Sequence, residues 1–328
     1  MQILSLSLDR TGRRWKMEQV ASANRSLKEE LIQPERKMLR IEKQGKIITF
    51  LCAWILIVTL FSLIWFIASK GIAPFFRNEI TLSEFFSLQW GPAISPEQGG
   101  PFYGVLAFVY GSLAVAAGAV IISAPLGIGA AIFMTEIAPG WGRKILQPVT
   151  EMLVGIPSVV YGFIGLTVIV PWIRSVAGGF GFGLLSGMLV LAVMILPTII
   201  SVGADAIQAV PKTVREGSYA LGATRWQTIS RLVVRSAMPG LMTGVVLGMA
   251  RAFGEALAVQ MVIGNAPNLP VSFTTPISTL TSVITLNMGN TVQGTTEQDV
   301  LWSMALILLL MTLIFIFLIR FISRRRED

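Results

Sequence analysis

The chain has 328 residues, 53% of them hydrophobic and 13% charged, with a formal net charge of +8, one cysteine and no histidine. That balance lies outside the range of soluble domains and inside that of helical membrane proteins. Without histidine there is no Ser-His or Cys-His catalysis and no His-ligated metal, and Cys52 alone excludes internal disulfides and thiolate clusters. No G-x-x-x-x-G-K-[ST] loop is present, so any nucleotide hydrolysis falls to a partner.

Residues 1–46 mix charges with few large apolar side chains and read as a cytoplasmic extension. The first apolar run, in place of a cleavable signal, is long enough to be an anchor. Crossing the hydrocarbon takes about 20 apolar residues, and six stretches of the 47–328 region qualify. They are 47–69, 103–133, 152–173, 183–204, 241–264 and 301–321, so the expected fold is an all-α integral membrane protein. The second is overlong, and Pro125, Gly127 and Gly129 either kink it or release its inner end as a separate helix. Pro157 interrupts the third, where Ser158 and Tyr161 stand next to backbone groups freed by the break.

Between the first two spans, Thr81 and Glu84 form a Thr-x-x-Glu cap for a segment carrying Leu82, Phe85, Phe86 and Trp90, expected to lie along the outer interface. All Lys and Arg except Lys70, Arg77, Arg174 and the intraspan Arg251 fall on one side if both termini are cytoplasmic, as the positive-inside rule favours. The basic balance thus needs no nucleic acid, although the tail at 324–326 would touch anionic lipid.

The 210–239 region is polar between two apolar spans. Pro211 can open a helix, Gly222 can end it in the left-handed conformation, and Thr224 with Gln227 reads as a capping box starting a second helix. Val214, Leu221, Trp226, Ile229 and Val233 recur at helical spacing, leaving the opposite faces to Lys212, Arg215, Arg225 and Arg231. The 266–300 segment lacks Lys and Arg, contains Pro267, Pro270 and Pro276, and reads as an ordered external loop.

Arg251 lies near the middle of the fifth apolar run, with Glu255 one turn later. An arginine at mid-membrane costs roughly 2.5–3.5 kcal/mol on insertion scales, so a partner is expected, and Glu255 at i+4 is in reach. Gly240, Gly244 and Gly248, continued by Ala252 and Ala256, form a strip on which another helix can approach closely.

The region from Glu216 to Val234 resembles the EAA loop of ABC-importer permeases, with Gly217 and Ser218 where alanines are usual and Arg235 where proline is usual. The run G-M-A-R-A-F-G-E-A-L-A-V-Q-M-V-I-G-N from Gly248, with L-G-A-T-R-W from Leu221 and G-I-P-S-V-V-Y-G-F from Gly155, resembles the C-type permease of the phosphate-specific ABC importers. This resemblance implies a type I, MetI-like permease core in the bacterial inner membrane, paired with an A-type permease over a dimeric ATPase. An external binding protein would deliver phosphate. It implies that Glu216, Gly222, Ala223 and Trp226 couple to the ATPase and that ATP and magnesium bind there rather than here; the residues' own chemistry puts Arg251 and Glu255, with Ser158 and Tyr161, on the expected substrate path. A permease for molybdate, sulfate or an organic solute, an intramembrane enzyme using Glu255, and a non-transporting scaffold or phosphate sensor are the alternatives.

Overall fold

The computed structural model describes residues 36–77, 79–95, 97, 99–138 and 140–324; the expected extension up to residue 35 and the end of the basic tail lie outside them. Two compact units are present, Met1–Trp65 and Phe66–Asp328. Most of what is described of the first is the helix Arg36–Phe76, whose last turns belong to the second. From Ile41 to Phe66 its apolar side chains are exposed, Ile55, Leu56 and Phe61 among them, as befits a helix whose solvent is hydrocarbon.

Among the described residues, six helices are long and apolar enough to cross a membrane: Ile41–Phe76, Leu106–Ile137, Ser158–Ala177, Leu184–Gln208, Arg225–Gly254 and Thr296–Phe317, taken below as the first to sixth spans. The protein is an all-α integral membrane protein. The limits differ from the apolar runs read in the sequence, the first span beginning at Ile41 inside the expected 1–46 extension, and for the second, third and fifth spans the reason is physical.

The second span runs unbroken past Pro125 and closes in a π-helical turn, Phe133–Ile137, and the helix that follows, Gly140–Gly155, is a separate one. Residues 152–155 therefore belong to that helix, and the third span starts only after Pro157 turns extended (φ −57°, ψ 138°). The fifth is shifted most. The second helix of the 210–239 region passes through π-helical Thr228–Val233 and on through Pro239 without interruption, but the helix stops at Gly254, ten residues before the apolar run ends.

The fourth span is the most buried and forms the axis of the second unit. Glycines let its neighbours close on it: a Cβ at Gly127 of the second span would stand 2.7 Å from Ile199 Cγ2, and one at Gly118 would strike Met188. At its start, the N–H groups of Leu184 and Leu185 donate to the carbonyls of Thr275 and Phe273, which supplies partners that a helix N-terminus lacks internally.

The 266–300 segment is ordered and contains an eight-residue helix, Leu280–Asn287, too short to cross a bilayer and opened by a full capping box between Thr279 and Ser282. It packs inward, with Leu280 and Ser282 fully buried, and the Leu280 N–H donates to Ser112 of the second span at 2.9 Å.

A second apolar cluster joins Ile80, Phe85, Tyr103, Phe108, Leu280 and Leu301. Phe85 is buried between the rings of Phe75 and Phe86, so the Thr81–Trp90 segment folds onto protein through Phe85 and leaves Leu82 exposed. Arg77 and the buried Asp299 pair at 3.2 Å, tying this layer to the start of the sixth span. Burial, and after it the carboxylates of Glu297, Glu84 and Glu79, push the Tyr103 phenol above its ordinary value.

Candidate functional site

Arg251 is half-buried in the last turn of the fifth span, and its Nη1 donates to Thr198 Oγ1 of the fourth span at 3.0 Å. The expected pairing with Glu255 is not formed. Helix geometry carries side chains four residues apart onto one face only while the helix lasts, and Glu255 has left it, with φ −79° and ψ 122°. Its carboxylate Oε1 instead accepts the Ala258 N–H at 3.2 Å, at the start of the short helix Leu257–Gln260, and its backbone carbonyl accepts Thr281 Oγ1 at 3.0 Å. Irregular backbone at membrane depth is tolerated where protein satisfies it, and Thr281 does so from the 266–300 segment. A cavity of about 10 Å³, room for one water, lies beside Glu255 among Ser112, Thr279 and Thr281.

Each charge thus has a neutral partner. The guanidinium has five donors, and a hydroxyl engages one of them, which leaves a planar fork to offer an anion. Tyr161 is buried and donates its hydroxyl to the Leu153 carbonyl at 2.8 Å, bridging the helix break at Pro157. Ser158 opens the third span and is half-buried.

The 210–239 region folds as two helices meeting at a glycine. Lys212–Ala220 forms the first, Gly222 adopts φ +80°, and Thr224 and Gln227 make both bonds of the capping box, at 3.3 and 2.9 Å. Ser218 and Thr228 hydroxyls, 2.9 Å apart, hold the two helices together. The apolar positions divide: Ile229 and Val233 are buried against the spans, whereas Leu221 is 90% and Trp226 65% exposed. Leu221 follows the last helical residue, so it is carried outward by the turn, and with Tyr219 it forms an apolar tip flanked by exposed Glu216 and half-buried Ala223.

Sequence reading missed Glu136 at the end of the second span. Its carboxylate pairs with Arg215 at 2.8 Å, a contact across 79 positions that only the fold creates. The one local signal was an acid directly after a long apolar run.

The small-residue strip faces the fourth span. A Cβ at Gly240 would lie 2.4 Å from Ala206 Cβ, at Gly248 2.9 Å from Ile199 Cγ1, and at Gly244 3.3 Å from Val202 Cβ, with Ala252 buried beyond them. Ala256 falls after the helix end and does not extend the strip. Gly240→Leu is expected to destabilise the protein by about 1–3 kcal/mol through overpacking against backbone-anchored Ala206, measured as a lower thermal midpoint in detergent.

Residues 123–328 match the profile of the binding-protein-dependent transport system inner membrane component family. The chain belongs to this family. The permease is 55% identical over 306 residues to the probable ABC transporter permease protein YqgH of Bacillus subtilis, covering 93% of this chain and 98% of that protein. It is 35% identical over 243 residues to the phosphate transport system permease protein PstC of Mesorhizobium japonicum, covering 68% of this chain and 74% of that protein. In the crystal structure of a bacterial alginate ABC transporter in complex with an alginate pentasaccharide-bound periplasmic protein, one chain aligns with a TM-score of 0.58 at 18% identity. That alignment covers 87% of this permease and 98% of that chain, and it shows a shared fold.

Proposed function

We propose that the permease is the C-type membrane subunit of an ATP-driven importer of inorganic phosphate. The observation that carries the reading is Arg251: a half-buried guanidinium inside a span, held by a single neutral hydroxyl. Similarity to phosphate transport permeases favours phosphate as the anion. Phosphate leaving water needs donors, and the fork makes paired charge-assisted bonds to two of its oxygens. A carboxylate on the guanidinium would have to be displaced first, whereas Thr198 is a neutral competitor. Glu255, close in the chain but turned away, supplies negative charge that opposes long occupancy and so favours release.

In this reading both termini and the 210–239 helix pair are cytoplasmic. The apolar tip of Tyr219, Leu221 and Trp226 docks on a dimeric ATPase, which binds the ATP and magnesium. The other half of the path comes from a homologous A-type permease, and an external binding protein delivers phosphate. The membrane is the bacterial plasma membrane, and the exposed first helix faces lipid. ATP binding closes the ATPases, the helix pair moves, and its unbroken continuation into the fifth span changes which side of the membrane Arg251 faces.

The test is ATP-dependent uptake of labelled phosphate into vesicles holding the purified complex, with sulfate and molybdate as competitors. Phosphate uptake resistant to both is the expected result. Uptake of either competitor in preference to phosphate would reassign the substrate, and a chain that purifies without an ATPase and supports no uptake would be a scaffold or sensor.

A further inference from the structure

The helix pair is joined to the spans by more than its own chain. Glu136 sits on the π-helical turn that closes the second span. Its carboxylate and the Arg215 guanidinium, 2.8 Å apart, are only 14% and 19% exposed. The same guanidinium donates through Nη1 to the Val210 carbonyl at 2.5 Å and through Nη2 to the Ile207 carbonyl at 2.9 Å, at the end of the fourth span. Arg225, on the other helix of the pair, donates to the backbone carbonyl of the same Glu136. Both helices of the pair therefore reach one residue of the second span, by different atoms, and one of them also grips the end of the fourth.

An ion pair withdrawn from water adds little net stability compared with apolar packing. What it adds is geometry, because a planar guanidinium shared among three acceptors admits few arrangements. Beside it lies an open pocket of about 390 Å³, lined by Thr135, Gln208, Lys212 and Glu216 as well as by the pair, so close packing does not by itself hold the two elements together there.

We propose that Glu136 and Arg215 form a clamp that delivers movement of the helix pair to the ends of the second and fourth spans, so that these and the fifth span move as one body. The proposal rests on the reading of the chain as an ATP-driven importer. Its consequence for the site is direct. From Ile207 the fourth span leads back about two and a half turns to Thr198, the partner of Arg251. With the clamp intact, the helix pair carries both partners together; without it, only the fifth span is pulled, and Arg251 is sheared off Thr198. Glu136 and Arg215 are thus positioning residues, acting through the spans rather than on the anion.

The test uses the full complex with its ATPase and binding protein in liposomes. Phosphate transported per ATP hydrolysed is measured for the native chain, for Glu136→Gln and for Arg215→Lys. The clamp requires that ratio to fall about tenfold or more in both, since glutamine removes the ion pair and lysine removes the planar fork that spans three acceptors, and the double variant to be no worse than either single one. An unchanged ratio, or transport and hydrolysis falling in proportion as a structural defect would give, overturns the clamp. A second measurement needs no substrate: with Cys52 replaced, spin labels at Phe133 and Lys212 report the separation of the second span from the helix pair with and without ATP. The clamp predicts a constant distance in the native chain, and a change of more than about 2 Å, the scale of helix shifts in switching proteins, overturns it. A native complex that imports no phosphate while this distance stays constant would remove the phosphate reading and leave the clamp standing.

Discussion

Arg251→Ala is expected to lower ATP-driven phosphate uptake by about 100-fold or more, with the complex still assembled in the membrane. Two charge-assisted bonds at roughly 1.5–3 kcal/mol each are lost from the bound anion, and every 1.4 kcal/mol is about a factor of ten. Misfolding is a poor explanation for such a loss, because removing an arginine from a membrane span lightens the insertion penalty and leaves behind only the Thr198 hydroxyl, which can bond back to its own helix. Arg251→Lys keeps the charge without the fork and should fall between native and alanine. Glu255→Gln should be milder still, since the amide oxygen can accept the Ala258 N–H and keep the chain break while the negative charge is lost. Uptake at native rates by an assembled Arg251→Ala complex would remove the guanidinium from the path.

The second large effect is expected at Gly222. Its φ of +80° lies in the left-handed region, where a side chain costs roughly 1–2 kcal/mol and a β-branched one more. Beyond its chain neighbours nothing stands within 4 Å of a Cβ built there, so the penalty of Gly222→Val comes from the backbone conformation rather than from a clash at the Cβ. It is concentrated at the single turn that sets the angle between the two helices, which also depends on the Gly222 N–H bond to the Tyr219 carbonyl at 2.9 Å and the Ala223 N–H bond to Ser218 at 3.2 Å. A turn populated about tenfold less moves Leu221 and Trp226 away from their docking geometry, and uptake should fall by about that factor while membrane insertion is unaffected. Gly217→Ala is the matched control. Position 217 is also open to solvent but lies inside a helix with an ordinary φ, so alanine there should stabilise the helix by about 0.5–1 kcal/mol and leave coupling intact. Equal uptake by Gly222→Val and Gly217→Ala would show that the turn is not what transmits the motion.

These residues also mark how far the chain could be read without coordinates. Six spans and their order follow from run length against bilayer thickness, a one-dimensional quantity. The Pro211 start, the Gly222 turn and the Thr224–Gln227 capping box depend on groups at most three or four residues apart, so their chemistry is printed in the local order of residues. The strip from Gly240 to Ala252 was legible as a place of close approach, although not which span would fill it.

Reading by period failed where the helix itself ended. Extending 3.6 residues per turn past Gly254 put Glu255 beneath Arg251, but a helix stops where something else satisfies the backbone. At Glu255 that partner is a hydroxyl 26 positions away, on Thr281. Glu136 and Arg215 meet for the same kind of reason, across 79 positions, once the ends of the second and fourth spans converge. Local order therefore settles which segments cross the membrane and where they turn. Which charges meet is decided by packing, because a buried polar group takes whichever partner the fold brings within about 3 Å.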